Sequence, residues 1–263
     1  MNNISAARET VKITASGSYT LSGREIKLTG APFDRVEVYS PERGAELIKL
    51  PAPEGELCKI TVTTEDSFSA ASRYERPYVM NFANAHNAGG GFMLGANAQE
   101  EALCRCSTLY ASIRSKAAAE MYRYNNTHPS FVESDYMLYS PEVCVFRDNK
   151  LELLEEPFTV SVITAPAPNR YGAAALAPKQ KIEETFLRRI RMILRIAEEH
   201  GHKHLILGAW GCGAFGNKPH EVADYFRHVL IDEKLGNAFD EVCFAVYGST
   251  EGKNFKAFFD TFK

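Results

Sequence analysis

The sequence lacks a membrane span, a secretory leader and an excess of basic residues. No apolar stretch reaches the roughly 18 residues that a transmembrane helix requires. The opening residues, MNNISAARETVK, contain no apolar core of the kind found in signal peptides. The 263 residues include 30 basic and 33 acidic ones, a net charge of −3, whereas general nucleic-acid binders carry a basic excess. We therefore expect no membrane partner, and an anionic polymer would have to be held by a local site.

The sequence also lacks a cysteine pair of the CxxC type. Its six cysteines are Cys58, Cys104, Cys106, Cys144, Cys212 and Cys243. Scattered in this way, they predict reduced thiols in a cytoplasmic protein. Cys104 and Cys106, two residues apart on a predicted helix, would point to different faces and are poorly placed to share a metal ion.

Three alternating histidines, His200, His202 and His204, are the only other pattern that suggests a metal. On one strand they would share a face, which is the minimum for a metal site. They instead straddle a predicted helix end and a strand start beside Gly201, where the helix dipole favours histidine. We favour solvated surface positions and expect neither a metal nor a cofactor, so EDTA should leave any activity intact.

The composition, 45% apolar and 24% charged, is that of an ordinary globular protein. From Cys58 onwards, short strand patterns alternate with helical ones, which predicts an α/β fold: a three-layer α/β/α sandwich around a mixed sheet. The predicted strands cover residues 60–64, 79–83, 143–146, 158–164, 204–207 and 241–247. The predicted helices cover residues 67–75, a long segment from Gln99, 179–200, a segment from Pro219, and 253–262.

The first 55 residues have a different pattern. Apolar residues alternate with polar ones around a glycine, as in a β-hairpin, at Val11, Ile13, Gly17, Tyr19 and Leu21. Residues 36–39 and 47–50 are further strand candidates. We therefore predict a β-rich N-terminal extension over residues 1–55, which packs on the core as one wall of a cleft, and a main domain over residues 56–263.

Residues 78–110 combine a strand, a glycine triplet and two neighbouring acids. An apolar strand is followed by Asn84 and Asn87, then by Gly89-Gly90-Gly91 and, after seven residues, by Gln99-Glu100-Glu101. Glycines let a backbone approach a ligand closely, and a loop ahead of a helix offers N–H groups to an anion. Taken alone, the triplet is typical of a flexible turn, and the acids of a helix N-terminus. Their combination beside a buried strand indicates a site.

The combination resembles the signature of the poly(ADP-ribose) glycohydrolases, whose catalytic domain is a macrodomain. The segment NFANAHNAGGGFMLGANAQEEALCR is similar to the bacterial-type branch, and LGAWGCGAFGN at residues 207–217 resembles the phosphate-binding loop of that branch. The resemblance covers about residues 56–263. It implies hydrolysis of ribose–ribose bonds in poly(ADP-ribose) on modified proteins, without a cofactor and in a cytoplasmic monomer.

The resemblance also implies roles for individual residues. Glu101 would be the catalytic acid/base and Glu100 would hold ribose hydroxyls, with Asn84 and Asn87 near the same ribose and Phe215 packed against it. The remaining expected ligand-binding residues are Gly89, Gly90, Gly91, Gln99, Gly211, Cys212, Gly213, Ala214 and Gly216, together with Tyr247 as a stacking partner for adenine. Trp210 is expected in the core.

Other functions remain open at this point. Residues 211–216 satisfy GxGxxG between a strand and a helix, as in NAD-binding loops. Too few elements follow for a six-stranded dinucleotide fold, and Asp232 and Glu233 lie at a helix end rather than at a strand tip. A P-loop is excluded because Gly216 precedes Asn217-Lys218. A non-catalytic ADP-ribose reader and a hydrolase of single ADP-ribose units use the same loops, and the double acid favours catalysis.

Overall fold

The computed structural model describes residues 2–263 and contains a seven-stranded mixed sheet. A separate hairpin pairs β1 (Ser18–Leu21) with β2 (Arg24–Lys27). The main sheet contains β3 (Glu37–Tyr39), β4 (Lys59–Thr63), β5 (Tyr78–Ala83), β6 (Met137–Arg147), β7 (Leu153–Pro166), β8 (His204–Leu207) and β9 (Glu241–Ala245). Its strand order is β3-β6-β7-β5-β8-β9-β4. The five strands from β7 to β4 run parallel, and β6 is antiparallel to both of its neighbours.

Helices cover both faces of this sheet. They are α1 (Asn3–Ser16), α2 (Pro41–Leu47), α3 (Ser67–Ala71), α4 (Gln99–Cys106), α5 (Leu109–Ile113), α6 (Ala119–Thr127), α7 (Lys179–Glu199), α8 (Pro219–Arg227) and α9 (Lys253–Phe262). Successive residues of a strand point to opposite faces of the sheet, and each face has its own hydrophobic core. Leu205 and Leu207 of β8 pack with α7 and α8 on one face, and Ile206 packs on the other. The predicted α/β/α sandwich with a mixed sheet is confirmed. Within the described residues, no helix is long and apolar enough to cross a membrane.

The prediction that Val11 and Ile13 lie in a hairpin strand is wrong, because this segment is α1. Asn2 caps the helix through its side chain, and Gly17 ends it in a left-handed conformation. The hairpin of the N-terminal region instead starts at Ser18, just after that glycine. The strand predicted at residues 47–50 is also wrong: Ser40 and Pro41 start α2, which runs to Leu47.

The single long helix predicted after Gln99 is interrupted at Ser107. This residue adopts an extended conformation and forms a β-bridge with Val145, and its hydroxyl donates to the Leu103 carbonyl. Hydroxyl side chains of this kind compete with helical hydrogen bonds. The chain therefore makes two short helices, α4 and α5, where the periodicity predicted one.

The parallel strands determine where a ligand can bind. The carboxyl ends of β4, β9, β8, β5 and β7 meet at one edge of the sheet, which is where open α/β sheets place their ligands. The first glycine loop, residues 84–98, follows β5, and the second, residues 208–218, follows β8. Since these strands are neighbours, both loops face the same space.

Candidate active site

A cleft of about 890 Å³ lies at this edge of the sheet, between the two glycine loops. Most of the residues that the sequence predicted as a site line it: Asn84, Gly90, Gly91, Gln99, Glu100, Glu101, Gly211, Gly213, Ala214, Phe215 and Tyr247. Asn87, Gly89, Cys212 and Gly216 lie outside the lining. The structure thus brings two segments more than 100 residues apart into one site.

Glu101 is held by backbone N–H groups on both carboxylate oxygens. Oε1 accepts a hydrogen bond from Gly91 at 2.9 Å, and Oε2 accepts one from Ala98, just before its own helix, at 3.0 Å. The side chain is 8% exposed and faces the cleft. A carboxylate oxygen accepts more than one hydrogen bond, so each oxygen keeps capacity for a ligand.

Glu100 is oriented by residues in β5 and at the junction of β5 with the first glycine loop. Its Oε2 accepts a hydrogen bond from the backbone of Asn84 at 2.9 Å, and its Oε1 accepts one from the Asn81 side chain at 3.3 Å. Burial raises the pKa of Glu100 to about 8, against the lowering effect of these hydrogen bonds. Glu100 is therefore mostly neutral at pH 7, and the two neighbouring acids are held by different donors.

The glycine triplet packs tightly around these acids. A Cβ atom at Gly90 would lie 2.5 Å from Glu101 Oε1 and 3.3 Å from Glu100 Oε2, and the residue has a φ of +53°. A Cβ at Gly89 would lie 2.7 Å from the ring of Tyr110. The triplet therefore lets the loop close over the two carboxyl groups.

Gln99 serves to hold α4 against β5. Its side-chain oxygen accepts a hydrogen bond from Phe82 N at 2.9 Å, and its nitrogen donates to Ser67 Oγ and to the Met80 carbonyl. The Gln99 carboxamide therefore uses its oxygen and its nitrogen in bonds within the protein. The Gln-Glu-Glu element thus combines one anchoring residue with two carboxyl groups that face the cleft.

Asn84 stands at the junction of strand and loop. Its Oδ1 accepts hydrogen bonds from the backbone of His86 and of Asn87, at 2.8 and 2.9 Å. Its Nδ2 has no acceptor within residues 2–263 and remains a donor on the cleft wall. Asn87 is exposed and enters this turn through its backbone.

The second glycine loop presents free N–H groups to the cleft. Its ends are closed by hydrogen bonds from Cys212 N to Ala209 O and from Asn217 N to Gly211 O. Within the described part of the chain, the N–H groups of Gly213, Ala214 and Phe215 find no protein acceptor. Successive unpaired N–H groups of this kind form an anion-binding concavity. The Cys212 side chain is buried and donates to the Trp210 carbonyl.

Aromatic side chains occupy different depths of the cleft. Phe215 is half-buried and lines the cleft, while Tyr247, after β9, is 74% exposed at its rim. Trp210 is fully buried and donates to the Ala165 carbonyl, as expected for a core residue, although it also contributes to the lining.

Sequence reasoning missed several supporting residues. Asn81 bonds both Glu100 and Thr164 from inside the core, and its only signal was a polar side chain within an apolar strand. Arg105 is buried and donates to Ala96 O and Asn97 Oδ1, both at 2.6 Å, which fixes the segment between the triplet and the acids.

Two further lining residues of the cleft were also missed. Asp66, the N-cap of α3, lines it and accepts a hydrogen bond from Asn149 at 2.9 Å. Asn254 of α9 lines the same cleft, and its Oδ1 is buried without a partner among the described residues. The sequence indicated Asp66 only as the N-cap of a helix, and no sequence pattern indicated Asn254.

The three histidines do not form a metal site. Within residues 2–263, no group of three or more His, Cys, Asp or Glu residues is arranged to hold a metal ion. His202 is buried, not solvated as predicted: it bonds the Tyr139 hydroxyl and the Arg76 carbonyl, and burial lowers its pKa to about 4. All six cysteines are free and buried.

Comparison with known proteins identifies consistent relatives. Residues 7–148 match the family described as microbial-type PARG, catalytic domain. The crystal structure of poly(ADP-ribose) glycohydrolase (PARG) from Thermomonospora curvata has a TM-score of 0.91 and 39% identity, with 99% of each chain covered.

Two further structures contain ligands. The Thermomonospora curvata enzyme bound to the inhibitor ADP-HPD has a TM-score of 0.88 and 38% identity, with 98% of each chain covered. PARG from Deinococcus radiodurans in complex with ADP-ribose has a TM-score of 0.79 and 38% identity, over 86% of this chain and 93% of that one. No curated protein sequence matches the chain.

Proposed function

Because this chain belongs to the microbial-type poly(ADP-ribose) glycohydrolase family, we propose that it hydrolyses the ribose–ribose bonds of poly(ADP-ribose) and releases ADP-ribose. The observation that carries this function is one cleft in which two buried glutamates face a loop of free N–H groups. A pure binding site needs hydrogen bonds to ribose and diphosphate. It does not need a second carboxyl group held apart from the first by its own set of donors.

The arrangement of the loops supports one orientation of the ligand. The diphosphate binds the N–H groups of Gly213, Ala214 and Phe215, since this loop has donors to spare. The ribose to be cleaved then lies over Glu100 and Glu101, after the neighbouring strand β5. The adenosine extends the other way, toward the cleft residues that follow β9 and β4.

Glu101 acts as the acid/base of the reaction. It donates a proton to the departing ribose oxygen while positive charge develops on the ring, and it then takes a proton from the attacking water. The net change is one water consumed and the proton returned to Glu101. Bound diphosphate stabilises the developing cation, so a second flanking carboxylate is not required.

Glu100 and Asn84 position the ribose. Glu100, neutral near pH 7 because burial raises its pKa to about 8, both donates and accepts hydrogen bonds to hydroxyl groups without adding charge beside Glu101. Asn84 contributes its free Nδ2. Phe215 packs its ring against the sugar from the opposite loop.

The test of the catalytic assignment is the pair of variants Glu101→Gln and Glu100→Gln. Glu101→Gln keeps the size and hydrogen bonds of the side chain but removes proton transfer, so turnover on polymer should fall about 10²–10⁴-fold while ADP-ribose still binds. Glu100→Gln should weaken ADP-ribose binding by about 0.5–1.5 kcal/mol, the amount that one hydrogen bond between neutral groups contributes. Turnover by product analysis and affinity by calorimetry separate the two roles.

Each outcome has a clear meaning. An active Glu101→Gln enzyme would refute its catalytic role, and an inactive Glu100→Gln enzyme with intact binding would exchange the two roles. If the wild-type protein released no ADP-ribose from automodified protein, the glycohydrolase function itself would be lost. EDTA should leave turnover unchanged, and loss of turnover that a divalent ion restores would contradict a metal-free mechanism.

The setting proposed for this activity is a cytoplasmic monomer. Six buried free thiols suit a reducing compartment, and a single chain supplies every wall of the cleft. Residues 1–55 take part by bracing the first glycine loop: Asn3 of α1 lines the cleft and donates to the Gly95 carbonyl at 3.1 Å. Light scattering and removal of α1 would check these points.

A further inference from the structure

Tyr171 is a large aromatic residue left 79% exposed after β7. A single exposed apolar side chain is ordinary on a protein surface, but this one sits on a well-defined turn. Its backbone N–H donates to Asn169 Oδ1 at 3.1 Å, and Gly172 N donates to Asn169 O at 3.0 Å. The turn therefore presents the ring to solvent in a fixed position.

The turn is attached directly to the second glycine loop. Arg170 N donates to Phe215 O at 2.8 Å, and the Asn217 side chain donates to Pro168 O at 2.8 Å. The Tyr171 ring also covers Gly216, because a Cβ atom there would lie 2.6 Å from its Cζ. Tyr171 thus stands next to Phe215, which lines the cleft.

The contacts of this turn show which part of the bound ligand the ring lies beside. Strand β7 borders β5 rather than β8, but the turn after it reaches the loop after β8, where the Tyr171 ring covers Gly216. Under the proposed function, the neighbouring Phe215 packs against the ribose to be cleaved, and the adenosine of the same unit extends toward β9 and β4. Tyr171 therefore lies beside that ribose, at the end of the bound unit opposite its adenine.

The chemistry of the polymer specifies what leaves the cleft on that side. If the proposed function holds, the leaving oxygen is the 2′-hydroxyl of an adenosine ribose in the preceding unit. The adenine is attached to the adjacent carbon of the same ribose, so a base emerges right beside the cleaved bond. The geometry points to Tyr171 as a stacking platform for this adenine, which makes the surface around it a subsite for the leaving ADP-ribose unit.

Charged side chains behind Tyr171 fit the same occupant. Arg170, Lys179 and Lys218 all lie near one carboxylate, that of Glu221, at 3.1, 3.6 and 3.3 Å. Lys179 and Lys218 are 69% and 57% exposed, so their ammonium groups are accessible to the diphosphate of the leaving unit. A base platform next to cations is the usual composition of a surface that tracks a single-stranded anionic polymer.

The experiment compares polymer cleavage with binding of ADP-ribose alone, because free ADP-ribose has no leaving unit. Stacking of one base contributes about 1–3 kcal/mol. Tyr171→Ala should therefore lower kcat/KM on poly(ADP-ribose) about 5- to 150-fold, mainly through KM, with an unchanged Kd for ADP-ribose by calorimetry. Tyr171→Phe should retain wild-type values, since the ring remains. Leu176→Ala, 77% exposed on the same segment, is the matched control and should change neither quantity.

Two results would overturn the subsite. Wild-type kcat/KM on polymer for Tyr171→Ala would show that the ring contacts nothing in the substrate. An equal loss of polymer cleavage and of ADP-ribose affinity would show that Tyr171 merely supports the second loop. Both are judged against an active wild-type enzyme, so they are distinct from failure of the proposed function, in which the wild type would release no ADP-ribose.

Discussion

The two glycine loops look alike in sequence but use their backbone in different ways. In the first loop, several N–H groups are bonded within the loop or to the two glutamates, among them Gly90 N to Asn87 O, Gly91 N to Glu101 Oε1 and Ala98 N to Glu101 Oε2. In the second, three successive N–H groups have no acceptor within residues 2–263. The first loop therefore uses its backbone to hold side chains, whereas the second has three neighbouring donors free for a ligand.

The glycines follow the same division. A Cβ atom at Gly90 would lie 2.5 Å from the Glu101 carboxylate, whereas one at Gly213 would meet nothing within 4 Å. In the first loop glycine is needed for contacts inside the protein. In the second, the open space in front of Gly213 is where an anion would approach. A glycine-rich pattern thus does not by itself identify a phosphate site, and the hydrogen-bond partners of the loop decide.

The two loops also differ in their external support. The first is fixed by side chains from three sides: Arg105 from α4, Asn3 from α1 and Gln99 against β5. The second relies mainly on Asn217, which donates to Gly211 O and to Pro168 O. The additional support of the first loop fits the role proposed for Glu101, whose carboxylate must lie within hydrogen-bond distance of one oxygen of the substrate.

Among the glycine substitutions, the largest effect should come from Gly90→Ala. The new Cβ would lie 2.5 Å from Glu101 Oε1, at a residue with a φ of +53°, so the loop or the carboxylate must shift. A displacement of about 1 Å at a catalytic group costs on the order of 10²-fold in rate. We expect kcat/KM on poly(ADP-ribose) to fall about 10²–10³-fold.

Gly201→Ala controls for backbone strain alone. Gly201 has a φ of +68° and nothing within 4 Å of its Cβ position, at the end of α7. It should cost roughly 1–2 kcal/mol of stability and leave kcat/KM unchanged at 25 °C. A Gly90→Ala enzyme as active as Gly201→Ala would mean that the first loop does not position the acids as described.

The elements that sequence predicted well are those whose pattern is local. The helix from Lys253 to Phe262 and the strands β5 and β8 match within a residue or two, because the helical spacing of apolar residues and the short apolar runs of the strands are local signals. The sequence located the glutamate pair because the strand, the glycine triplet and the two acids follow one another in one continuous segment. It located the second loop because its glycines are also close together in the sequence.

The elements that sequence missed depend on distant partners. Val11 and Ile13 alternate like strand residues, but the α1 face that contains Thr10 is buried against Arg105, 95 positions later. Ser107 ends α4 by pairing with Val145. Asn81 has a role only when Glu100 packs beside it. No local pattern contains these contacts, so local reasoning could not have predicted them.

A smaller effect is expected from Glu100→Gln, measured as stability against pH. In the folded protein burial raises the pKa of Glu100 to about 8, whereas in the unfolded chain it is near the ordinary 4.5. The folded state therefore holds a proton that the unfolded state has lost, so this group makes stability fall as pH rises from 4.5 to 8. Each unit of difference corresponds to about 1.4 kcal/mol.

Glutamine removes this dependence and keeps a neutral donor. Its amide faces Asn81, whose Oδ1 is buried without a partner among the described residues and can accept once the carboxamide turns over. Urea unfolding at pH 5, 6.5, 8 and 9 should show Glu100→Gln gaining stability over wild type up to pH 8, then a constant difference. Glu54→Gln, at an exposed position, is the control. A difference that is constant with pH would contradict a buried neutral Glu100.

The smallest effect, and the sharpest contrast between the loops, should come from Gly213→Ala. The protein accommodates this Cβ, because nothing lies within 4 Å of it and Gly213 has no positive φ, so the melting temperature should stay within about 1 °C of wild type.

The methyl group of Gly213→Ala instead enters the space before the free N–H groups of Ala214 and Phe215. We expect the Kd for ADP-ribose to rise about tenfold, equivalent to about 1.4 kcal/mol. KM should rise with it while kcat changes far less, which is the reverse of Gly90→Ala. Calorimetry and steady-state kinetics on the two variants measure this contrast directly. Unchanged ADP-ribose affinity in Gly213→Ala would show that the diphosphate does not bind the second loop, and would contradict the different roles proposed for the two loops.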